Sequence, residues 1–186
     1  MPKLPMGDIG PCVVIWDYEG TPICLGPYLG TVSLTWVDSV SDVQEEGYGD
    51  APVDAVFAGS VVELSVPMTR NTLSELANSI GYGSMGSLTG NVLTMYNMAG
   101  CDMYELAKQI IIAPVCNNVP DSDEHSWIQL YKCHPYRDFE LVFDRSGQRI
   151  HMCKFKVFPN SDSGYCGEYG TWGVASGATP ITGICS

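Results

Sequence analysis

Apolar residues near the start of the chain follow a pattern typical of a β-hairpin. Cys12–Trp16 ("CVVIW") is a short apolar segment, and a second one begins just after Glu19–Gly20. Glu19–Gly20 occupies the place of a tight two-residue turn. A turn there pairs Ile15 with Cys24, so the sequence predicts both the hairpin and its register.

The next predicted strands enclose an acidic segment. The first strand alternates apolar residues with serine and threonine, which places three side chains on one face: Val32, Leu34 and Trp36. Two more strands are predicted over 53–57 and 61–67, with a tight turn at Gly59 between them. Residues 40–54 combine glycine, proline and five carboxylates. We expect a long loop there.

The hydrophobic period changes from two residues to that of a helix after residue 71. Thr72 and Glu75 have the spacing of a capping box, and Gly81 is a C-terminal stop. The apolar residues between them lie at helical spacing: Leu73, Leu76, Ala77 and Ile80. The sequence therefore predicts one amphipathic helix that packs against a sheet.

The rest of the chain is predicted to be mainly β. We expect a loop over 82–100 that contains one strand or a helical turn, a short helical piece over 101–109, a buried strand over 110–115, three strands between 127 and 159, and a short strand over 169–174. Together the elements predict an all-β domain with one flanking α-helix, spanning residues 1–186.

Charge and composition narrow the classes of function. The chain carries a formal net charge of −12, and 45% of its residues are hydrophobic. A specific nucleic-acid binder or a protein held on an anionic membrane needs a basic surface. No segment approaches the roughly 20 apolar residues of a membrane span. The three histidines lie in no nucleophile pattern, so we expect no enzyme and no cofactor.

Eight cysteines raise the questions of disulfides and of metal. The sequence opens without a signal-peptide pattern, so we expect mainly buried free thiols. The candidate zinc ligands are Cys133, His134, His151 and Cys153. Neighbouring residues of a strand point to opposite faces, so Cys133 and His134 do not easily bind one ion. We therefore predict no metal site.

Three segments resemble the major tail tube proteins of long-tailed bacteriophages. The opening "GPCVVIWDYEGTPICLGPYLGTVSLTW" is similar to the family's first hairpin and next strand. The run "VQEEGYGDAPVDAVFAGSVVELSVPMTRNTLSEL" resembles the family's loop, two strands and helix, and is the most specific match. The C-terminal "IHMCKFKVFPNSDSGYCGEYGTWG" is similar to the last long strand and closing arm. Residues 82–125 match no part of the family pattern, and the eight cysteines depart from it.

The resemblance implies a β-sandwich or small barrel of the tail-tube type with one flanking α-helix and with N- and C-terminal arms. Six subunits would form a ring, and rings would stack into a tube in the virion, after synthesis in the host bacterial cytoplasm. The partners it implies are other copies of the chain and the tape measure, tail terminator and tail-tip proteins. Double-stranded DNA would pass transiently and without specific contacts.

The resemblance also implies roles for acidic residues. The segment 40–54 would be a ring-stacking loop with Tyr48 as its aromatic anchor. Its flanking carboxylates are Asp42, Glu45, Glu46 and Asp50. A basic bore would bind DNA phosphate at every ring, so we expect an acidic bore, with Glu63 as the candidate lumen residue. The alternatives are a type VI secretion-like tube subunit, a tail terminator and a Cys/His metal-binding module.

Overall fold

The computed structural model describes residues 11–17, 20, 22–25, 31–44, 51–68, 77, 86–90, 92–95, 97, 99–116, 119–120, 123–136, 151–162, 164 and 167–173. The named elements among these residues are strands and one 3₁₀ turn, Glu124–Ser126. The strands are β1 Cys12–Trp16, β2 Ile23–Leu25, β3 Ser33–Gln44, β4 Pro52–Met68, β5 Gly86–Thr89, β6 Val92–Met95, β7 Lys108–Cys116, β8 Val119–Pro120, β9 Ile128–Tyr136, β10 His151–Phe158 and β11 Gly170–Trp172. The all-β prediction is confirmed for this part of the chain.

Nine of these strands form one antiparallel sheet, in the order β2-β1-β7-β9-β10-β4-β3 with β11 joined to β9 and β8 joined to β7. The β1–β2 register has Ile15 opposite Cys24, as the sequence predicts. β9 is shared: Ile128–Leu130 pairs with β11, and Lys132–Tyr136 pairs with β10. β2 and β3 are the two edges of the sheet that the described residues form.

The sheet curls around a hydrophobic core. The Trp16 ring on β1 lies 6.5 Å from the Phe155 ring on β10. Two strands stand between β1 and β10 in the sheet order, and three spacings of a flat sheet amount to about 14 Å. Curling therefore brings the two halves of the sheet together. The core includes Val14, Trp16, Leu25, Val62, Leu64, Val66, Ile110, Leu130, Phe155 and Val157.

β1 and β7 are apolar along almost their whole length because both of their faces are buried. A second cluster covers the face opposite the main core and consists of Val13, Ile15, Ile111, Ala113 and Trp127. The segment "IIIA" in β7 thus supplies side chains to both clusters in alternation. The sequence predicts this buried strand correctly over 110–115.

β3 and β4 form a long antiparallel hairpin, which corrects the sequence prediction for residues 40–54. Residues 40–44 and 52–54 belong to strands rather than to a loop, while residues 45–50 lie outside the described part. The tight turn predicted at Gly59 is also wrong, because β4 runs without interruption from Pro52 to Met68. The physical reason is a β-bulge, which absorbs the glycine within the strand.

Three other predictions have different outcomes. Of the helix predicted between Thr72 and Gly81, only Ala77 lies among the described residues, where it is buried, so the helix stays a prediction. The segment 82–100 contains two paired strands, β5 and β6, where the sequence predicts a loop with one strand or a helical turn. Residues 103–106 form turns and not the expected helical piece.

Candidate assembly surface

The distal part of the β3–β4 hairpin extends past the rest of the sheet. β10 pairs with β4 only up to the Val157–Val62 pair, whereas β4 continues back to Pro52. We call residues 36–44 and 52–61 the hairpin arm. Among the described residues, the arm beyond Val62 has only its own two strands, so both of its faces are open to solvent.

The arm exposes apolar side chains on both faces. On one face Val40 lies opposite Phe57, which is 61% exposed. On the other face Val37 lies opposite Val61, and both are more than half exposed. The exposed large apolar residues of the arm are Trp36, Val37, Val40, Val43, Val53, Val56, Phe57 and Val61. Such a contiguous apolar surface marks an interaction site rather than a stable solvent boundary.

A β-bulge interrupts the arm near its middle. Ser39 pairs with Gly59, and the next residue, Val40, pairs with Phe57, so Ala58 is extra on β4. Gly59 has a φ of 135°, a backbone conformation that residues with a Cβ rarely adopt. Bulges bend a strand and increase its twist. The outer half of the arm is therefore aimed differently from the sheet that carries it.

The base of the arm is anchored to the segment after β10. Asp38 Oδ1 accepts hydrogen bonds from Trp36 Nε1 at 3.0 Å and from Ser60 Oγ at 2.7 Å. The Tyr169 hydroxyl donates to the Ser60 carbonyl at 2.8 Å, and its ring meets the Trp36 ring edge-to-face at 5.2 Å. These contacts hold the base of the arm in one orientation while its outer half stays exposed.

The predicted ring-stacking residues fall mostly outside the described part of the chain. Asp42 is exposed on β3, where it lies opposite Ala55. Glu45, Glu46, Tyr48 and Asp50 lie between the two strands of the arm in sequence, outside the described residues. Their assignment to stacking therefore stays a prediction. In sequence they lie between the two exposed apolar strands of the hairpin arm.

Glu63 lies on an outward face that also carries lysines. It is half-buried, and Lys156 on β10 lies directly opposite it. Lys154 follows on the same face, opposite Ser65, and the Tyr136 hydroxyl donates to Glu63 Oε1 at 3.3 Å. This described face is therefore not acidic. An acidic lumen centred on Glu63 does not follow from its surroundings, and its place in a lumen stays a prediction.

The four candidate zinc ligands do not come together. His151 and Cys153 face the core from β10, and Cys133 faces it from β9, whereas His134 lies opposite Lys156 on the other face of the sheet, where it is 1% exposed. Among the described residues, no three histidine, cysteine or acidic side chains form a group that could hold a metal ion. The sequence argument about Cys133 and His134 matches this geometry.

Burial changes the titration of these side chains. It raises the pKa of the Cys133 and Cys153 thiols, because a thiolate would lose its hydration in the core. It lowers the pKa of His134 and His151, since the imidazolium is disfavoured in the same way. Cys12, Cys101, Cys133 and Cys153 are free thiols. Cys24, in contrast, is disulfide-bonded, which corrects the expectation of a free thiol there.

A polar cleft of about 360 Å³ lies between the ends of β1 and β7 and the turn after β10. Ion pairs stand at its rim, Lys108 with Asp17 at 3.5 Å and Lys132 with Asp162 at 2.9 Å. The two lysines and two aspartates balance in charge. The cleft thus favours neither an anion nor a cation, and its described residues suggest no chemistry.

Tyr104 closes one side of this region. Its hydroxyl lies 2.8 Å from Ser161 Oγ and accepts a hydrogen bond from the Ser161 amide at 2.8 Å. Lys132 Nζ stands 5.1 Å from the centre of its ring, and the Phe158 ring meets it edge-on at 6.2 Å. Tyr104 therefore fastens the turn that leads from β10 towards Tyr169 and the base of the arm.

Sequence reasoning missed the two apolar faces of the arm. The signal is present as valines at positions 37, 40, 43, 53 and 56, three of which lie inside the segment 40–54 that the sequence predicts as a loop. Their spacing follows neither a one-sided strand nor a helix, because both faces of the arm are apolar.

Within the described residues, no helix has the length and apolarity needed to cross a bilayer.

Comparisons with known proteins give one kind of likeness. No protein-family model matches the sequence, and no curated protein matches it. A chain of the 6-fold symmetrised cryo-EM structure of the anti-feeding prophage (AFP) baseplate is similar in structure. The TM-score is 0.49 at 11% sequence identity, over 80% of this chain and 89% of that chain.

Proposed function

We propose that this protein is a structural subunit of a phage tail tube, which assembles into stacked six-fold rings, and that it is not an enzyme. The observation that carries the proposal is the hairpin arm, with apolar side chains exposed on both faces. A monomer gains nothing from such an arm, whereas a subunit buries it between neighbours. Of the three sequence segments that resemble tail tube proteins, one includes the whole second strand of the arm, 52–61, and residues 37–42 of the first strand lie outside all three.

The open sheet edges support the same proposal. β3 is an edge strand of twelve residues, with unpaired backbone groups along its outer side in the described part of the chain. Long exposed edges invite pairing with another chain unless they are covered. β2 forms the opposite edge. Joining the β3 edge of one subunit to its neighbour would cover these groups, and repetition around a six-fold axis would close the ring.

Direct observation of assembly tests the proposal. Purified protein, concentrated at moderate salt, should form rings and tubes that negative-stain microscopy shows as stacked annuli with six-fold symmetry. Rings that never stack would indicate a tail terminator instead of a tube subunit. A monomer at all concentrations and salts, together with no tubes in virions, would refute the proposal.

A shortened variant tests the arm itself. Asp38 and Ser60 lie opposite each other, so residues 39–59 can be replaced by Asn-Gly to close a two-residue hairpin turn. The variant keeps every core residue and should remain a folded monomer by circular dichroism, yet fail to form tubes. Tyr48→Ala in the full chain tests the predicted anchor separately. Normal tubes from the shortened chain would show that the arm is not an assembly element.

A further inference from the structure

β10 presents two chemically different faces. His151, Cys153, Phe155 and Val157 are buried against the core or its margin. The residues between them point outward: Met152 is 37% exposed, Lys156 is exposed and Lys154 is half-buried. The outward face of β10 therefore combines positive charge with an apolar side chain.

β9 continues this face. Phe158 pairs with Lys132, so Lys132 stands on the same side of the sheet as Lys156 and Lys154. We call Lys132, Lys154 and Lys156 the basic stripe. The whole chain has 9 basic and 21 acidic residues, and three of the nine basic residues lie in this stripe. Three lysines on one face make that face locally positive, which an acidic partner would complement.

Among the described residues, two lysines of the stripe differ in their ion pairing. Lys132 pairs with Asp162. Lys156 is exposed and makes no ion pair with any described residue, although Glu63 lies opposite it. A partner that brings carboxylates and apolar side chains together would complement this face.

The hairpin arm has that composition. Asp42 and Asp54 are exposed on it, among the exposed valines Val40, Val43 and Val56. The residues that join its strands in sequence include three more carboxylates: Glu45, Glu46 and Asp50. The arm thus offers alternating acidic and apolar positions to a surface that is basic and apolar.

An arm cannot reach the stripe of its own subunit. β10 ends its pairing with β4 at Val62, and from there β4 leads away from β10 for ten residues to Pro52. At about 3.3 Å per residue, Pro52 lies up to roughly 33 Å from the Val157–Val62 pair, where β10 stops pairing with β4. Contact between the arm and the stripe therefore requires a second copy of the chain.

We propose that the basic stripe is the docking surface for the acidic, apolar hairpin arm of a neighbouring copy of this protein. The inference rests on the proposed function and deepens it, because it names which surface receives the arm. Duplex DNA is the competing occupant of a basic face. It fits less well, because a chain of net charge −12 repels phosphate over most of its surface.

A charge exchange tests the contact. Lys156→Glu and Asp42→Lys should each raise the protein concentration needed for assembly by about 3- to 10-fold, as expected for reversing one exposed charge pair. The double variant should return to within about twofold of the wild-type concentration, and 0.5 M NaCl should shrink all three effects. A second comparison separates a local effect from a change in net charge. Lys156→Gln and the control Asn97→Asp, made in separate proteins, each lower the net charge by one. The control keeps the side-chain Oδ1 that accepts a hydrogen bond from the Ala99 amide.

Cross-linking distinguishes this inference from the proposed function. A carbodiimide joins lysines to carboxylates, and a mixture of isotope-labelled and unlabelled protein identifies links between copies. Links from Lys154 or Lys156 to residues 38–54 of another copy are expected, whether or not long tubes form. Tubes without such links, or with no coupling between the two substitutions, would overturn the docking surface and leave the tube in place. Loss of duplex-DNA binding in Lys156→Glu, without any effect on assembly, would assign the stripe to DNA.

Discussion

Phe57 gives the most direct measure of what the arm contributes. Its side chain is 61% exposed and lies opposite Val40 on one face of the arm. We predict that Phe57→Ser leaves the monomer folded and weakens assembly strongly. The residue is absent from the core, so the free energy of unfolding should change by no more than about 0.5 kcal/mol.

The size of the assembly effect follows from the exposed area. A buried aromatic side chain covers about 200 Å², so the exposed part of Phe57 corresponds to about 120 Å². At about 25 cal/mol per Å², burial in an interface contributes about 3 kcal/mol. Loss of that free energy should raise the protein concentration needed for assembly by about 100-fold.

Light scattering against protein concentration measures this threshold, and urea unfolding of the monomer measures stability. Val92→Ser is a matched control, because Val92 is also apolar, 63% exposed and in a strand outside the arm. It should leave the threshold unchanged. Equal thresholds for Phe57→Ser and wild type would refute burial of this face in the assembly, and an unfolded variant would refute its placement at the surface.

Further predictions concern stability and reactivity. Stability should fall as pH drops below about 6.5, because burial lowers the pKa of His134 and His151 and the unfolded chain then binds more protons. Each histidine contributes up to about 1.4 kcal/mol per pH unit to the slope of the free energy of unfolding against pH, measured by urea titration. His151→Phe should flatten this slope. A urea midpoint of the wild type that does not change with pH would contradict the prediction. Iodoacetamide should modify the exposed Cys101 in the native protein and Cys133 only after unfolding, by mass spectrometry. Tyr104→Phe should lower the free energy of unfolding by about 0.5–1.5 kcal/mol, because the Ser161 amide loses its hydrogen bond to the hydroxyl; an unchanged urea midpoint would count against the fastening role.

Local patterns predict the buried half of this fold well. The β1–β2 register and the β7 strand follow from short apolar segments next to turn residues, since burial requires that pattern whatever the neighbours are. The short strand expected over 169–174 is also present, as β11. Each of these elements carries its own signal because one or both of its faces meet the core.

The arm is where local patterns fail. Glycine marks a turn and a bulge in the same way, and at Gly59 the structure has the bulge. Carboxylates at positions 42 and 54 indicate a loop when each is considered alone, although an exposed strand accommodates them equally. Lys156, which lies opposite Glu63, comes from β10, about ninety residues later, and only strand pairing reveals it. Long-range pairing is not encoded in any one segment.

The bulge at Ala58 also gives the arm mechanical leverage. Val40–Gln44 lies beyond it on β3 and spans about 17 Å at 3.4 Å per residue. A change of about 10° in the angle at the bulge moves the end of that segment by about 3 Å, which approaches the distance across a side-chain contact. A neighbouring subunit bound to the outer half of the arm would thereby fix the angle at the bulge. In a stacked tube, small adjustments at each bulge would add up along the axis, so the filament could bend while its ring-to-ring contacts stay intact.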